Sequence, residues 1–342
     1  MHPLLLLLAT PGLAIDLQAD LHLDTPTQLL RRKATLDGEG MEAALPQLRE
    51  GGTNLAVEVL WPPRDADWEA HAARLFDIIE AEDRRLDAVM LARGPAEARS
   101  VIDGGAVALL VSMEGAHGLD RSGIDGLRRL HARGLRMLGL TWSFSNRFAG
   151  SAGDGGGGLT PDGWTLLAEA NRLGVIVDVS HASDAATMEA CGWSHAPVVA
   201  SHSNTDARRE HARNLSDRAI RCIARSGGVV GVNVHGDFVG GTRDVAAVAD
   251  HFDHLRAVGG PGVVALGSDY DGLIKPVTGL EHAGKLAALW AELRRRGWTE
   301  DEISGARGGN FMRVWEAVER VSDALTWGST PKSAPERPRG PQ

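Results

Sequence analysis

Short runs of aliphatic and β-branched residues alternate along the chain with longer, Ala-, Arg- and Glu-rich stretches whose apolar positions recur at helical spacing. Eight such runs stand out, at residues 15–22, 54–60, 107–113, 137–142, 175–180, 198–202, 229–234 and 263–268. Parallel strands buried on both faces read as unbroken apolar runs rather than as alternation. About 10–20 helix-like residues separate most of them, the spacing of strand–helix–strand units. Thr160-Pro161, Ser183-Asp184 and Ser216-Asp217 carry the hydroxyl cap that opens a helix, the first with proline in the first turn. The pattern predicts an α/β fold and, from eight repeats, a (β/α)8 barrel of TIM type. An open doubly wound sheet is the alternative.

The two architectures differ in where chemistry collects. A barrel draws its active site from the C-terminal ends of many strands, whereas an open sheet draws it from one switch point. Reading only the ends of the runs gives His22 and Asp24, Glu58, Glu114, Trp142, His181, His202, Asn233 and Asp269. The run interiors are apolar, so this placement favours the barrel.

His22 and Asp24 lie two apart and project to one side of a strand, where an imidazole and a carboxylate can share a metal ion. Alone, such a pair reads as an ordinary strand end. Glu114 alone reads as a cap of the following helix, and His181 and His202 singly as structural histidines. Brought together by a barrel, three histidines and two carboxylates form the donor set of a binuclear site for borderline metals. One carboxylate can then bridge two ions roughly 3.5–4 Å apart, with a shared hydroxide between them.

Asp269, at the last strand end, stands where a metal-assisted hydrolase needs a proton shuttle. Its plainer reading is part of a turn, a role better suited to Asp271-Gly272. Arg213 follows the sixth run, and a guanidinium facing a dinuclear cation site implies an anion between them, such as a substrate carboxylate. Its plainer reading is a surface arginine beside Arg208 and Arg209. His235 follows the seventh run, at the edge of the pocket. The glycine run at 153–158 lacks the Lys-Ser/Thr of a phosphate loop and reads as a rim loop.

Composition narrows the partners. With 36 basic against 45 acidic residues, a net of −9, the 342-residue chain has no broad basic face for nucleic acid or anionic membrane. Cys191 and Cys222 are too few for a disulfide framework or a four-thiolate metal site and read as buried thiols on helices. No apolar run reaches the ~20 residues that span a bilayer. Residues 1–14 resemble an export leader, with a short apolar run and a small-x-small ending at Ala14. They lack a leading Lys or Arg, and a misplaced start or a loose extension is the alternative. A true leader implies a periplasmic or secreted protein; otherwise the expectation is cytoplasmic. Residues 15–325 are expected to form one catalytic domain. Residues 326–342, with four prolines and no lipid-anchor signal, are expected to be a disordered tail.

Six segments together resemble the membrane (renal) dipeptidase family, zinc metallopeptidases of the amidohydrolase barrel superfamily. They are ADLHLDTP, VSMEGAHGL, GGGLTPDGWTLLAEANRLGVIVDVSHAS, APVVASHSNTDARREHARNLSD, DHFDHLRAVGGPGVVALGSDYDG and RGWTEDEISGARGGNFMRVWEAVE, which run in family order from Asp20 to Glu319. The resemblance implies a metal-dependent-hydrolase barrel with extra C-terminal helices and two zinc ions per chain. His22, Asp24 and Glu114 would bind one ion, and Glu114, His181 and His202 the other. It further implies Asp269 as catalytic acid/base, Arg213 as the holder of the substrate's C-terminal carboxylate, and often a homodimer. The implied activity is hydrolysis of dipeptides through a metal-bridging hydroxide.

One departure bears on activity. Where the family reads Leu-Thr-His at the fourth strand, this chain has Leu140-Thr141-Trp142. The family histidine donates to the scissile carbonyl, and loss of such a donor can cost ~10²–10³ in rate. His235 or Asn146 is the expected replacement, with the Trp142 indole N–H itself a further donor. The substitution keeps open an amidohydrolase acting on N-acyl amino acids or lactones. A barrel that binds without turnover fits less well, because it would have no use for Asp269.

Overall fold

Each expected run is a strand in the computed structural model, which describes residues 16–63 and 67–327. The strands are β1 (Ala19–Leu23), β2 (Leu55–Leu60), β3 (Val89–Leu91), β4 (Val107–Met113), β5 (Leu135–Gly139), β6 (Ile176–Asp178), β7 (Val198–Ala200), β8 (Val229–Val232) and β9 (Val264–Leu266). The expected leader at 1–14, and residues 328–342 of the expected tail, lie outside the described residues.

The order β1-β2-β4-β5-β6-β7-β8-β9 is parallel throughout. It closes on itself past the ends of β9 and β1. Asp24 N donates to Tyr270 O at 3.0 Å and Asp269 N to His22 O at 3.1 Å. The closed (β/α)8 barrel thus holds over the open sheet. Several ladders stop short of the expected runs: β6 ends at Asp178 and β7 at Ala200, so His181 and His202 sit in the loops just beyond.

β3 has no counterpart in the sequence reading. It pairs with the first half of β4 (Val89↔Val107), while β5 takes the second half (Val111↔Leu135). Three residues between two helices carry too little apolar pattern to announce a strand.

Alternating strand residues feed two apolar layers. Leu21, Val57, Leu110, Ile176 and Val199 pack together with Phe311 and Trp315 of the helix Asn310–Trp327. Gly308, just before that helix, lies so close to Leu17 and Ala19 N that a Cβ there would sit 2.7 Å from Leu17 Cγ. The helix therefore covers the N-terminal end of the barrel and leaves the C-terminal end for chemistry. It includes Thr326 and Trp327, the first two residues of the expected tail, and has no glycine or proline between Asn310 and Trp327.

The opposite residues, such as Leu109 and Val111, pack outward on the surrounding helices. The caps form as expected: Thr160, Ser183 and Ser216 accept from Gly163 N, Ala186 N and Ala219 N. Cys191 and Cys222 are buried free thiols on neighbouring helices. Among the described residues no helix is long and apolar enough to cross a membrane.

Candidate metal centre

The five expected ligands converge at the C-terminal mouth of the barrel. Glu114 Oε1 lies 2.8 Å from His181 Nε2, 3.3 Å from His202 Nε2 and 3.6 Å from His22 Nε2. On the far side of His22, the same Nε2 stands 3.6 Å from Asp24 Oδ2 and 4.0 Å from Asp269 Oδ1. All six side chains are buried or nearly so. Three ligand-like groups result among the described residues: Glu114–His181–His202, His22–Asp24–Asp269 and His22–Asp178–His202.

The electrostatics of this cluster call for a cation. Burial disfavours the His22 imidazolium, yet Glu114, Asp24 and Asp269 outweigh it and lift its pKa to about 10. Burial pushes the Glu114 carboxyl well up, opposed by His22 and aided by repulsion from Asp24 and Asp269. Asp269 is raised to about 7, first by burial and then by Asp24, against the pull of His22, the Asn233 hydrogen bond and Arg213. His181 and His202 are pushed well below the usual imidazole range, chiefly by burial and then by nearby positive charge. Three carboxylates face one protonatable ring and the Arg213 guanidinium, which leaves the cluster short of positive charge.

Divalent ions fit this vacancy in charge. His22 Nε2 is buried without a hydrogen-bond partner. His181 Nε2 and His202 Nε2 face each other at 3.1 Å, a separation at which two ring nitrogens share one acceptor or one metal. Mixed imidazole and carboxylate donors suit zinc and its neighbours.

His181 and Asp269 also adopt left-handed backbone, with φ of 67° and 70°. Non-glycine residues adopt it uncommonly, and such strain persists where surrounding structure holds a side chain in a required direction.

Arg213 is buried rather than on the surface. Its Nη2 donates to His202 O at 3.2 Å, and its buried Nε has no partner. With His181 it lines a small cavity. Its guanidinium lies 5.7 Å from the Phe238 ring, which also packs against His235 and His211. His235 therefore sits one ring away from Arg213, its Nδ1 accepting from Asp237 N.

Trp142 packs against His181 (ring centroids 6.4 Å), Trp61 (5.2 Å) and Phe144 (5.7 Å), an aromatic wall beside the ligands. Asn146, expected as a replacement donor, is used within its own loop. It donates to Leu140 O and accepts from Phe148 N and Ala149 N. Glu58 belongs to none of the ligand-like groups. Both its oxygens are buried and unpartnered, with Asp271, Asp20 and Asp24 as its charged neighbours.

Two links have no counterpart among the sequence-derived roles. Asn233 Nδ2 donates to Asp269 Oδ2 at 2.8 Å. Ser201, adjacent to His202, joins Asp178 to two of the ring nitrogens. Asn233 stood among the strand-end residues, whereas nothing about Ser201 distinguishes it from its serine neighbours.

Comparison with known proteins gives one family. The family model described as Membrane dipeptidase (Peptidase family M19) matches residues 15–329. Dipeptidase verJ of Clonostachys rogersoniana is 34% identical over 298 residues, covering 81% of this chain and 75% of that protein. Rat Dipeptidase 3 is 36% identical over 226 residues, 64% of this chain, and the match spans only 46% of that protein. A Rhodobacter sphaeroides metallopeptidase, solved with a phosphinate mimic of the dipeptide L-Ala-D-Ala, superposes with a TM-score of 0.80 at 30% identity. That match covers 89% of this chain and 99% of the other.

Proposed function

The chain belongs to the membrane dipeptidase family, peptidase family M19, and from that we propose that it hydrolyses dipeptides at a pair of divalent ions, zinc by the resemblance. The observation that carries the reading is the approach of three imidazole Nε2 atoms to Glu114 Oε1, with Asp24 and Asp269 beside His22. His22, Asp24 and Glu114 would hold one ion, and Glu114, His181 and His202 the other. Bound there, the ions would supply Lewis acidity toward the carbonyl and acidify an attacking water.

The protein's own groups do the rest. Asp269, with a pKa of about 7 before any ion is bound, can take a proton from water and return it to the departing amine. Asn233 holds one of its oxygens and leaves the other turned toward His22. Arg213, buried with an unused Nε–H, is suited to the free carboxylate of a short substrate. Support from relatives is consistent with this reading: two are named dipeptidases, and the Rhodobacter metallopeptidase holds a dipeptide mimic.

The test is release of amino acids from a dipeptide panel by metal-loaded protein, with chelated protein and the Asp269→Asn variant alongside. Turnover lost in both supports the reading; turnover surviving both overturns it.

Trp142 favours a second reading, an amidohydrolase acting on N-acyl amino acids or lactones. Its ring takes the place of a hydrogen-bonding histidine and joins Trp61 and Phe144 in an apolar wall. Faster turnover of N-acyl amino acids or lactones than of dipeptides would decide for it.

A further inference from the structure

We propose that one hydroxyl, Ser201 Oγ, positions a ligand of each metal site, so that Asp178 and Ser201 set the two sites together. The proposal rests on the two-ion reading above. Its parts are a carboxylate, a hydroxyl and two rings from three separate strand ends.

The direction of each hydrogen bond follows from what each atom can carry. Asp178 Oδ1 accepts from Ser180 N at 2.9 Å and Ser201 N at 2.8 Å. Its Oδ2 lies 2.6 Å from Ser201 Oγ, which donates to it. A serine hydroxyl has one proton and two lone pairs. With its proton committed to Asp178, Ser201 Oγ can only accept from its other neighbours.

Those neighbours are His202 Nδ1 at 2.8 Å and His22 Nδ1 at 3.3 Å. Ser180 Oγ, also at 3.3 Å, is itself held by His202 N. The two lone pairs of Ser201 Oγ match the two Nδ1–H groups, which leaves Nε2 of each ring as the atom offered to an ion beside Glu114. A ligating histidine needs that tautomer, and the partner of its other nitrogen enforces it. The two ring centroids lie 3.7 Å apart at a tilt of 36°, so a shift of one ring is felt by the other.

The same reasoning removes Asp178 from the candidate ligands, although it groups with His22 and His202 by distance. Its oxygens are committed to Ser180 and Ser201, and Ser201 Oγ stands between it and the Nδ1 atoms.

Asp178→Asn is the sharper of two tests. The Oδ1 position must remain an acceptor for two backbone N–H groups, which forces the new NH2 to face Ser201 Oγ. The serine's single proton then turns toward the nearer ring, at His202 Nδ1, and favours the tautomer that blocks His202 Nε2. Ser201→Ala removes the lock without reversing it, and Ser201→Thr keeps a hydroxyl.

The measurement is the number and affinity of zinc ions retained against a competing chelator, with circular dichroism confirming the fold. Ser201→Ala is expected to weaken both ions about 10–100-fold, and Asp178→Asn to weaken the ion held by His202 at least as much. In the Ser201→Ala background, Asp178→Asn should add little, because no hydroxyl is left to reverse. Ser201→Thr should retain both ions and covers the case in which Ser201→Ala fails to fold. Loss of only one ion in Ser201→Ala, or both variants binding like the wild type, would overturn the shared lock. A wild-type protein unable to hold two ions would instead defeat the two-ion reading itself.

Discussion

The Asn233 amide is fixed at both ends: its Oδ1 accepts from His235 N at 2.6 Å, and its Nδ2 donates to Asp269 Oδ2 at 2.8 Å. Asp269 is thus held by the residue that directly follows Val232, the last member of β8. Removing the donor by Asn233→Ala should lower kcat about tenfold or more, the range expected for a hydrogen bond to a charged group. Because that bond holds the Asp269 pKa down, its loss should also move the acid limb of the pH–rate profile upward. An unchanged profile, measured with metal content held constant, would remove Asn233 from the mechanism.

Glu114 is the only carboxylate within 4 Å of all three ring Nε2 atoms among the described ion pairs. Glu114→Ala is therefore expected to cost both ions rather than one. Metal analysis of the purified variant should fall well below one equivalent, and excess zinc should raise the melting temperature far less than in the wild type.

Arg213 offers its Nε–H from a buried position, so an anion bound there escapes much of the screening of water. Arg213→Met should lower kcat/KM for dipeptides about 10²-fold, in line with loss of a buried charged partner. Dipeptide amides, which lack the carboxylate, should be turned over equally poorly by both proteins. A loss equal for free and amidated substrates would count against carboxylate binding.

Glu58 gives a pH-dependent stability with a definite sign. Burial first, then repulsion from Asp271, Asp20 and Asp24, pushes its carboxyl well above the ordinary 4.5. The folded, metal-free chain therefore keeps a proton that the unfolded chain releases above that value. Its contribution falls as pH rises from the unfolded pKa toward the folded one, by about 1.4 kcal/mol per pH unit. Urea unfolding with chelator at pH 5, 6 and 7 should show Glu58→Gln losing less stability per unit than the wild type. Parallel pH dependences for the two proteins would contradict a protonated Glu58.

Much of this protein could be read from its chain alone. Parallel strands buried on both faces must be unbroken apolar runs, so the barrel strands and the polar residues that end them stand out without coordinates. Local chemistry likewise marked the caps at Thr160, Ser183 and Ser216, which depend only on neighbours three residues away. The tertiary structure decided whatever depends on direction and on distant pairs. Closure between β1 and the segment after β9 sets His22 beside Asp269. Packing also buried the Glu58 carboxyl without a partner, and strand pairing gave β3 the half of β4 that β5 leaves free. Ser201 illustrates the limit: it is one serine among several in sequence, and only the crossing of Asp178, His22 and His202 at its hydroxyl gives its single proton a direction.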